Sequence, residues 1–373
     1  MEKAASPPHT QVDALATRLR RKIKGEVRFD EGSRALYATD SSNYRQVPIG
    51  VVIPRDAEDV LETLDVCRQF DAPITARGAA TSLAGQCCNV AVILDFSKYM
   101  NRIVDIDPGT KTARVQPGAV LDHLRNAVKP LGLTFGPDPS THEWCTLGGM
   151  IGNNACGVHS ALAQFYGRGA RTSDQVAEMD VVTYDGCRLT VGPTNQLQFA
   201  ESQRAGGRRG EIYKNLRALR EKYAPLIRDR FPTIPRRVSG YNLDELLPEN
   251  GFNVARALCG REGTCVTILE ATVFLMPQPR VRYLAVLGFK NIFEAGDAVA
   301  DVIKHKPTGL EGVDDILIRD VRARGLHVEN LSLFPDGNGW LLAEIGGETR
   351  GEADEKARTL INSLKRNRKD LTV

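Results

Sequence analysis

The stretch Arg77–Gly85 reads RGAATSLAG and packs Gly78, Ala79, Ala80, Thr81, Ser82 and Gly85 into one loop after a short apolar run. Small side chains let a backbone approach a ligand closely, and several N–H groups converging on one point suit a pyrophosphate. Thr81 and Ser82 can add hydroxyl donors. A tight surface turn accounts for this loop equally well when it is taken alone. The pattern is neither the dinucleotide fingerprint G-x-G-x-x-G nor a P-loop, which disfavours a nicotinamide cofactor or ATP.

A second segment, Phe135 to Ser160, reads FGPDPSTHEWCTLGGMIGNNACGVHS. Its glycines, two adjacent asparagines and few large side chains argue against a conventional helix or strand. They suit a backbone-lined wall against a flat polar ligand, with Asn153 and Asn154 offering donors and acceptors. Leu147, Met150 and Ile151 interrupt the glycines, which favours a folded, half-buried loop over a linker. A third segment, Cys259 to Pro277, places Gly260 and Gly263 around Arg261 and Glu262 ahead of a long apolar run. It suits a closing strand whose entry turn touches a ligand; an ordinary turn into a core strand fits the same residues.

The elements that would position these segments alternate in type. Val12, Leu15, Ala16, Leu19 and Ile23 recur at helical spacing in a lead helix from Thr10 to Ile23. Ile49 to Ile53 reads as a strand, and Ala57 to Asp71 as a helix N-capped by Asp56. PITARG, AVILDFS, RIVDID, ARVQPG and DVVTYDG read as strands closed by turn residues. Val120 to Gly132 and Ile212 to Phe231 read as helices, and the basic RAGGRRGE between Arg204 and Glu211 as a solvated loop. Past Pro277 and Pro279 come a strand (Tyr283 to Phe289), a helix (Phe293 to Ile303), a strand (Gly339 to Ile345) and a helix (Glu352 to Leu364), a β-α-β piece.

Composition bounds the class. The 373 residues suffice for two domains, and 42% apolar with 25% charged residues is ordinary for a globular protein. A net charge of +3, from 49 basic and 46 acidic residues, gives no reason to expect nucleic acid. The apolar runs are too short to cross a bilayer, and the first residues lack an apolar signal core, so a cytoplasmic location is expected. Cys67, Cys87, Cys88, Cys145, Cys156, Cys187, Cys259 and Cys265 form no Cys-x-x-Cys pair and are expected to be reduced, small and mostly buried.

Together the three segments resemble the flavin adenine dinucleotide (FAD)-binding domain of the vanillyl-alcohol oxidase and p-cresol methylhydroxylase class. Within it they resemble the FAD-linked D-lactate, glycolate and D-2-hydroxyglutarate dehydrogenases. RALYATDSSNYR, VQPGAVLDHL and RRVSGYNLDEL carry the likeness too, from about Gly25 to Pro279 and more weakly beyond. The resemblance implies an α+β fold: a helical lead (1–46), a two-subdomain FAD-binding domain (47–279) and an incomplete α+β substrate-binding cap (280–373). It implies that Arg77, Gly78, Ala79, Ala80, Thr81 and Ser82 wrap the FAD pyrophosphate. Pro137, Asp138 and Ser140 would lie along the flavin. Thr146, Gly148, Gly149, Gly152, Asn153, Asn154 and Gly157 would form a second wall, with Glu262, Gly263 and Val266 closing over the adenine side. Ala79 and Ala80 stand where the family usually has glycines. The first loop has no histidine for a covalent flavin link, and a structural or flavin-edge polar role is the better reading of His159.

The family's His-x-Gly-Asp-Gly-Asn-x-His motif is represented only by PDGNG at Pro335 to Gly339, read as a turn, so no metal site and no catalytic residue is assigned. The implied reaction is hydride transfer from C2 of a D-2-hydroxy acid, such as D-lactate, glycolate or D-2-hydroxyglutarate, to flavin N5. An acceptor protein or a quinone would then reoxidise the flavin. The competing reading is a non-catalytic flavin-binding module, or an N-terminal portion completed by further chain, by a partner chain or as a homodimer. Peripheral attachment to the inner membrane is the variant of the cytoplasmic expectation.

Overall fold

The structure is a computed structural model that describes residues 9–368 and 370–373. The reading of the first eight residues as lacking a signal core lies outside them. In chain order the strands are β1 (Glu26–Arg28), β2 (Gly50–Ile53), β3 (Ile74–Arg77), β4 (Val92–Asp95), β5 (Ile103–Asp107), β6 (Thr112–Val115) and β7 (Leu133–Thr134). They continue with β8 (Val176–Val182), β9 (Arg188–Val191), β10 (Thr267–Phe274), β11 (Met276–Pro277), β12 (Val281–Phe289), β13 (Gly309–Asp314) and β14 (Gly339–Gly347). The chain divides into two packing units. The first comprises 1–128, 141–155 and 171–275, and the second 129–140, 156–170 and 276–373.

The first unit holds two sheets. One has the order β1-β2-β4-β3, with β2, β4 and β3 parallel and β1 antiparallel at the edge. β2 and β4 are buried along their whole length, as expected where helices cover a parallel sheet. Leu15, Leu19 and Ile23 of the His9–Lys22 helix and the turn after it join Val60, Leu64 and Cys67 of the Ala57–Gln69 helix in the same core as Val52 and Leu94. Asp56 caps the second of these helices, its carboxylate accepting the Asp59 N–H at 3.0 Å. The other sheet is antiparallel, in the order β5-β6-β10-β8-β9. Its central β10 alternates buried and half-buried residues, the period of a strand packed on one face.

The second unit is built on the antiparallel sheet β12-β14-β13, with the short β7–β11 pair beside it. Ala285, Leu287, Phe289, Leu341, Ala343 and Ile345 bury one face under the Ile292–Val302 and Arg350–Asn367 helices. Trp340, Val286 and Val313 on the other face pack with Ile318 and Leu331. The β13 strand and the Asp315–Ala323 helix after it are additions to the β-α-β piece expected from sequence. PDGNG is the turn that enters β14, with Asn338 N–H donating to Phe289 O at 2.9 Å.

Two sequence expectations are corrected. RAGGRRGE is not a loop: helices Gln196–Arg204 and Gly207–Arg230 leave only Ala205 and Gly206 between them. Arg208 pairs with Glu211 one turn on and with Asp185, so its charge is compatible with a helix. The glycine-rich segment also contains a helix, Leu147–Asn153. Its propensity is poor, but Leu147, Met150 and Ile151 bury one face, and Thr146 caps its start.

All eight cysteines are free thiols. Burial pushes those of Cys67 and Cys259 up to about 12. No helix among the described residues is long and apolar enough to cross a membrane, and no group of three His, Cys, Asp or Glu among them could hold a metal ion.

Candidate functional site

In the first unit the chain leaves β3 at Arg77 and enters the RGAATSLAG loop. The Arg77 guanidinium donates to the carbonyls of Thr39 (2.7 Å), Tyr37 (3.2 Å) and Cys87 (3.3 Å) and lies 5.2 Å from the centre of the Tyr37 ring. Its side chain therefore shapes the loop rather than reaching outward. A Cβ on Gly78 would stand 2.1 Å from Thr146 Oγ1, so only glycine lets the loop meet the second segment. Ala80 adopts φ +56°, a left-handed conformation that costs a non-glycine residue on the order of 1 kcal/mol. Its carbonyl accepts the Ser41 N–H at 3.1 Å. Among the described residues, none of the backbone N–H groups from Gly78 to Ser82 donates to a protein acceptor. A run of open N–H groups on a small-residue loop is what a phosphate-bearing ligand requires.

The second segment supplies the Leu147–Asn153 helix. Thr146 Oγ1 accepts the Gly149 N–H, while the Leu147 and Gly148 N–H groups donate to Ala119 O and Pro117 O, both at 2.8 Å. This helix start is thus closed to an anion. A Cβ on Gly148 would lie 2.7 Å from Pro117, so that glycine serves packing. Gly149 and Asn153 are exposed on the opposite side, leaving bare helix backbone accessible. Asn154 is turned inward: it is fully buried in the left-handed cap position, and its Oδ1 accepts the Ser173 N–H at 2.9 Å. It braces the wall where the sequence suggested a ligand contact.

The third segment closes on the second through its backbone. Gly260 N–H donates to Ile151 O and Glu262 N–H to Gly152 O, each at 2.9 Å. Glu262 (φ +50°) and Gly263 (φ +76°) form a left-handed pair, and a Cβ on Gly263 would meet nothing within 4 Å. Val266 is half-buried at the entry to β10. Gln86, which directly follows the first loop and was not singled out in the sequence, donates from Nε2 to Glu262 Oε1 at 2.9 Å. All three segments therefore meet around Gly152 and Glu262.

Behind them, Arg171 pairs with Asp174 (2.8 Å) and Glu245 (3.1 Å), and Arg256 with the same two carboxylates (2.5 and 3.3 Å). Burial pushes the Glu245 carboxyl up, against the pull of Arg256 and Arg171. Burial also opposes the Arg171 charge, but the hydrogen bond and charge of Asp174 prevail and raise its pKa. Asn242, in the SGYNL stretch, donates to the carbonyls of Cys259 (3.1 Å) and Arg256 (3.3 Å), tying this network to the third segment.

Pro137, Asp138, Ser140 and Gly157 belong to the second unit. A Cβ on Gly157 would lie 1.7 Å from Asp138 O. The buried Asp138 carboxylate accepts the His159 backbone N–H at 2.7 Å and lies 2.5 Å from His159 Nδ1. His159 Nε2 lies 3.1 Å from Glu344 Oε1, which also accepts from Thr308 Oγ1 at 2.7 Å. With both ring nitrogens bonded, the polar role expected for His159 is the one the geometry displays. Glu344 and Thr308 carry no sequence signal because they approach from segments far along the chain.

Residues 48–192 match the family described as FAD binding domain. D-2-hydroxyglutarate dehydrogenase of Pseudomonas putida is 32% identical over 352 residues, covering 92% of this chain and 34% of that protein. Glycolate oxidase subunit GlcD of Bacillus subtilis is 29% identical over 82% of this chain and 55% of its own length. The chain thus spans about a third of the length of the first of these relatives and about half of the second. The structure of p-cresol methylhydroxylase with substrate bound aligns at a TM-score of 0.64 with 13% identity, over 96% of this chain and 65% of that one. Alkyldihydroxyacetonephosphate synthase aligns at 0.65 with 16% identity, over 96% and 60%.

Proposed function

Because this chain carries an FAD-binding domain of the vanillyl-alcohol oxidase and p-cresol methylhydroxylase fold class, we propose that it serves an oxidoreductase acting on a D-2-hydroxy acid. The substrate would be D-2-hydroxyglutarate, glycolate or D-lactate. The observation that carries the reading is the run of open N–H groups from Gly78 to Ser82, on a loop that meets the second segment at Thr146 while Glu262 joins the second and third segments at Gly152. The likeness to D-2-hydroxyglutarate dehydrogenase and glycolate oxidase supports the substrate class.

FAD, when bound, would supply a two-electron acceptor for oxidation of the substrate at C2. The work of this chain is to bind and orient. Gly78 to Ser82 present backbone N–H groups and the Thr81 and Ser82 hydroxyls to the pyrophosphate. Gly149, Gly152 and Asn153 form a low wall free of bulky side chains, with Thr146 and Gly148 fixing its helix. Glu262, Gly263 and Val266 close the adenine side. Arg77 and Asn154 act from behind, as braces. No residue of this chain is assigned as the base, and an acceptor protein or a quinone completes the cycle.

The test is anaerobic addition of each hydroxy acid to the purified, FAD-loaded chain. Bleaching of the flavin absorbance by a D-2-hydroxy acid, and not by its L-isomer, is the expected result. Retained FAD without bleaching by any of them would favour a flavin-binding module that needs further chain or a partner.

A further inference from the structure

Both ring nitrogens of His159 face carboxylates within the second unit: Nδ1 that of Asp138 at 2.5 Å and Nε2 that of Glu344 at 3.1 Å. An ionised carboxylate only accepts hydrogen bonds, so a ring held between two of them carries a hydrogen on each nitrogen, which is the imidazolium. The other carboxylate atoms are bonded in the same sense. Asp138 Oδ1 accepts the His159 backbone N–H at 2.7 Å, and Glu344 Oε2 accepts from Arg282 Nη1 at 3.3 Å. The charged groups around the ring include Asp138, Glu344 and Arg282, with Thr308 adding a neutral hydroxyl.

The backbone is shaped to permit this seat. A Cβ on Gly157 would lie 1.7 Å from Asp138 O, and one on Gly309 of β13 would lie 2.9 Å from Val158 Cγ1 and 3.7 Å from His159 Cδ2. Glycine at both positions lets Val158 and His159 lie down between the 137–140 turn and the sheet. The His159 side chain is only 18% exposed.

We propose that His159 is a positioning residue: as a doubly bonded imidazolium it fastens the 137–140 turn and Gly157 to Glu344 of β14, so that this stretch keeps its shape only while the ring is charged. The consequence for the cofactor rests on the family resemblance, which implies that Pro137, Asp138 and Ser140 lie along the flavin. Burial by itself lowers the His159 pKa, but the hydrogen bonds and charges of Asp138 and Glu344 override it and raise the value to about 9. Once neutral, the ring can donate to only one of the two carboxylates, and the other loses its bond to the ring.

The experiment is an imidazole NMR titration of the full chain, paired with FAD dissociation constants at a series of pH values. Wild type, His159→Gln and the double variant His159→Gln/Glu344→Gln are compared. His159 should keep both ring N–H signals up to about pH 9, and the Gly157 and His159 backbone N–H shifts should move with the same midpoint. Wild-type FAD affinity should fall roughly tenfold across that midpoint, the weight of a lost charge-assisted bond. His159→Gln should bind weakly at every pH with no such step. The double variant should recover part of the loss, because Glu344→Gln removes the charge that would otherwise face the new amide oxygen. A His159 midpoint near the ordinary 6.5, or an alkaline step that survives in His159→Gln, overturns the proposal. A chain that holds no FAD at any pH refutes the functional reading instead, and the titration then decides the role of His159 by itself.

Discussion

The backbone N–H of Glu262 donates to the carbonyl of Gly152 at 2.9 Å, joining residues 110 positions apart in sequence. The same Glu262 receives Gln86 through its side chain. One residue therefore connects the entry turn of β10, the glycine helix and the end of the first loop. In the functional account, that junction holds the adenine side of the cradle closed.

Gln86→Leu removes the donor to Glu262 while keeping similar volume. The bond is exposed, so the fold should lose no more than about 1 kcal/mol. FAD should bind several-fold more weakly. Chemical denaturation and flavin fluorescence titration measure the two effects separately, and an unchanged dissociation constant would remove Gln86 from the account.

Ala79 is exposed at the tip of the loop. Ala79→Trp should therefore leave the fold intact within about 0.5 kcal/mol, as for most surface substitutions. The bulky ring should nevertheless block approach to the open N–H groups and abolish FAD retention. Gly78→Val is the contrasting case. Its Cβ would strike Thr146, so both stability and FAD binding should fall, the former by about 1–3 kcal/mol. A Gly78→Val chain of normal stability would show that the loop and Thr146 are not in the contact described.

How much of this was legible in sequence differs from residue to residue. The RGAATSLAG loop, the Asp56 cap and β10 announce themselves by composition and spacing, and the resemblance to the flavin class holds in the fold. The Leu147–Asn153 helix does not announce itself, because glycine-rich propensity points away from a helix and only burial of Leu147, Met150 and Ile151 overrides it. The family resemblance suggested a ligand role for Arg77, and residue type suggested one for Asn154. Their partners, the Tyr37, Thr39 and Cys87 carbonyls and the Ser173 N–H, are known only once the chain is folded. Nor does chain order reveal that 129–140 and 156–170 pack with 276–373.

Acid should act on the edge of the first sheet. Hydrogen bonds from Lys98, Tyr99 and Arg28 hold the Glu26 carboxyl down at about 2. A depressed carboxylate contributes its stability above its unfolded value, ordinarily near 4.5, and loses it as pH falls from there towards about 2. Glu26→Gln should therefore melt below wild type at neutral pH, by the equivalent of roughly 1–2 kcal/mol after solvent screening. The gap should narrow in acid. Melting curves at neutral pH and in acid, at about pH 3, check this. A gap that persists in acid would mean that the charge of Glu26 is not what stabilises β1.

The most direct test of the central claim is reconstitution of the purified chain with FAD, removal of free flavin, and measurement of the visible spectrum of what remains, with FMN in parallel. A cradle that grips the pyrophosphate and the adenine side predicts that FAD is retained in proportion to protein, that FMN is washed away, and that Ala79→Trp retains neither. Loss of FAD from the wild-type chain, or equal retention of FMN, would contradict it.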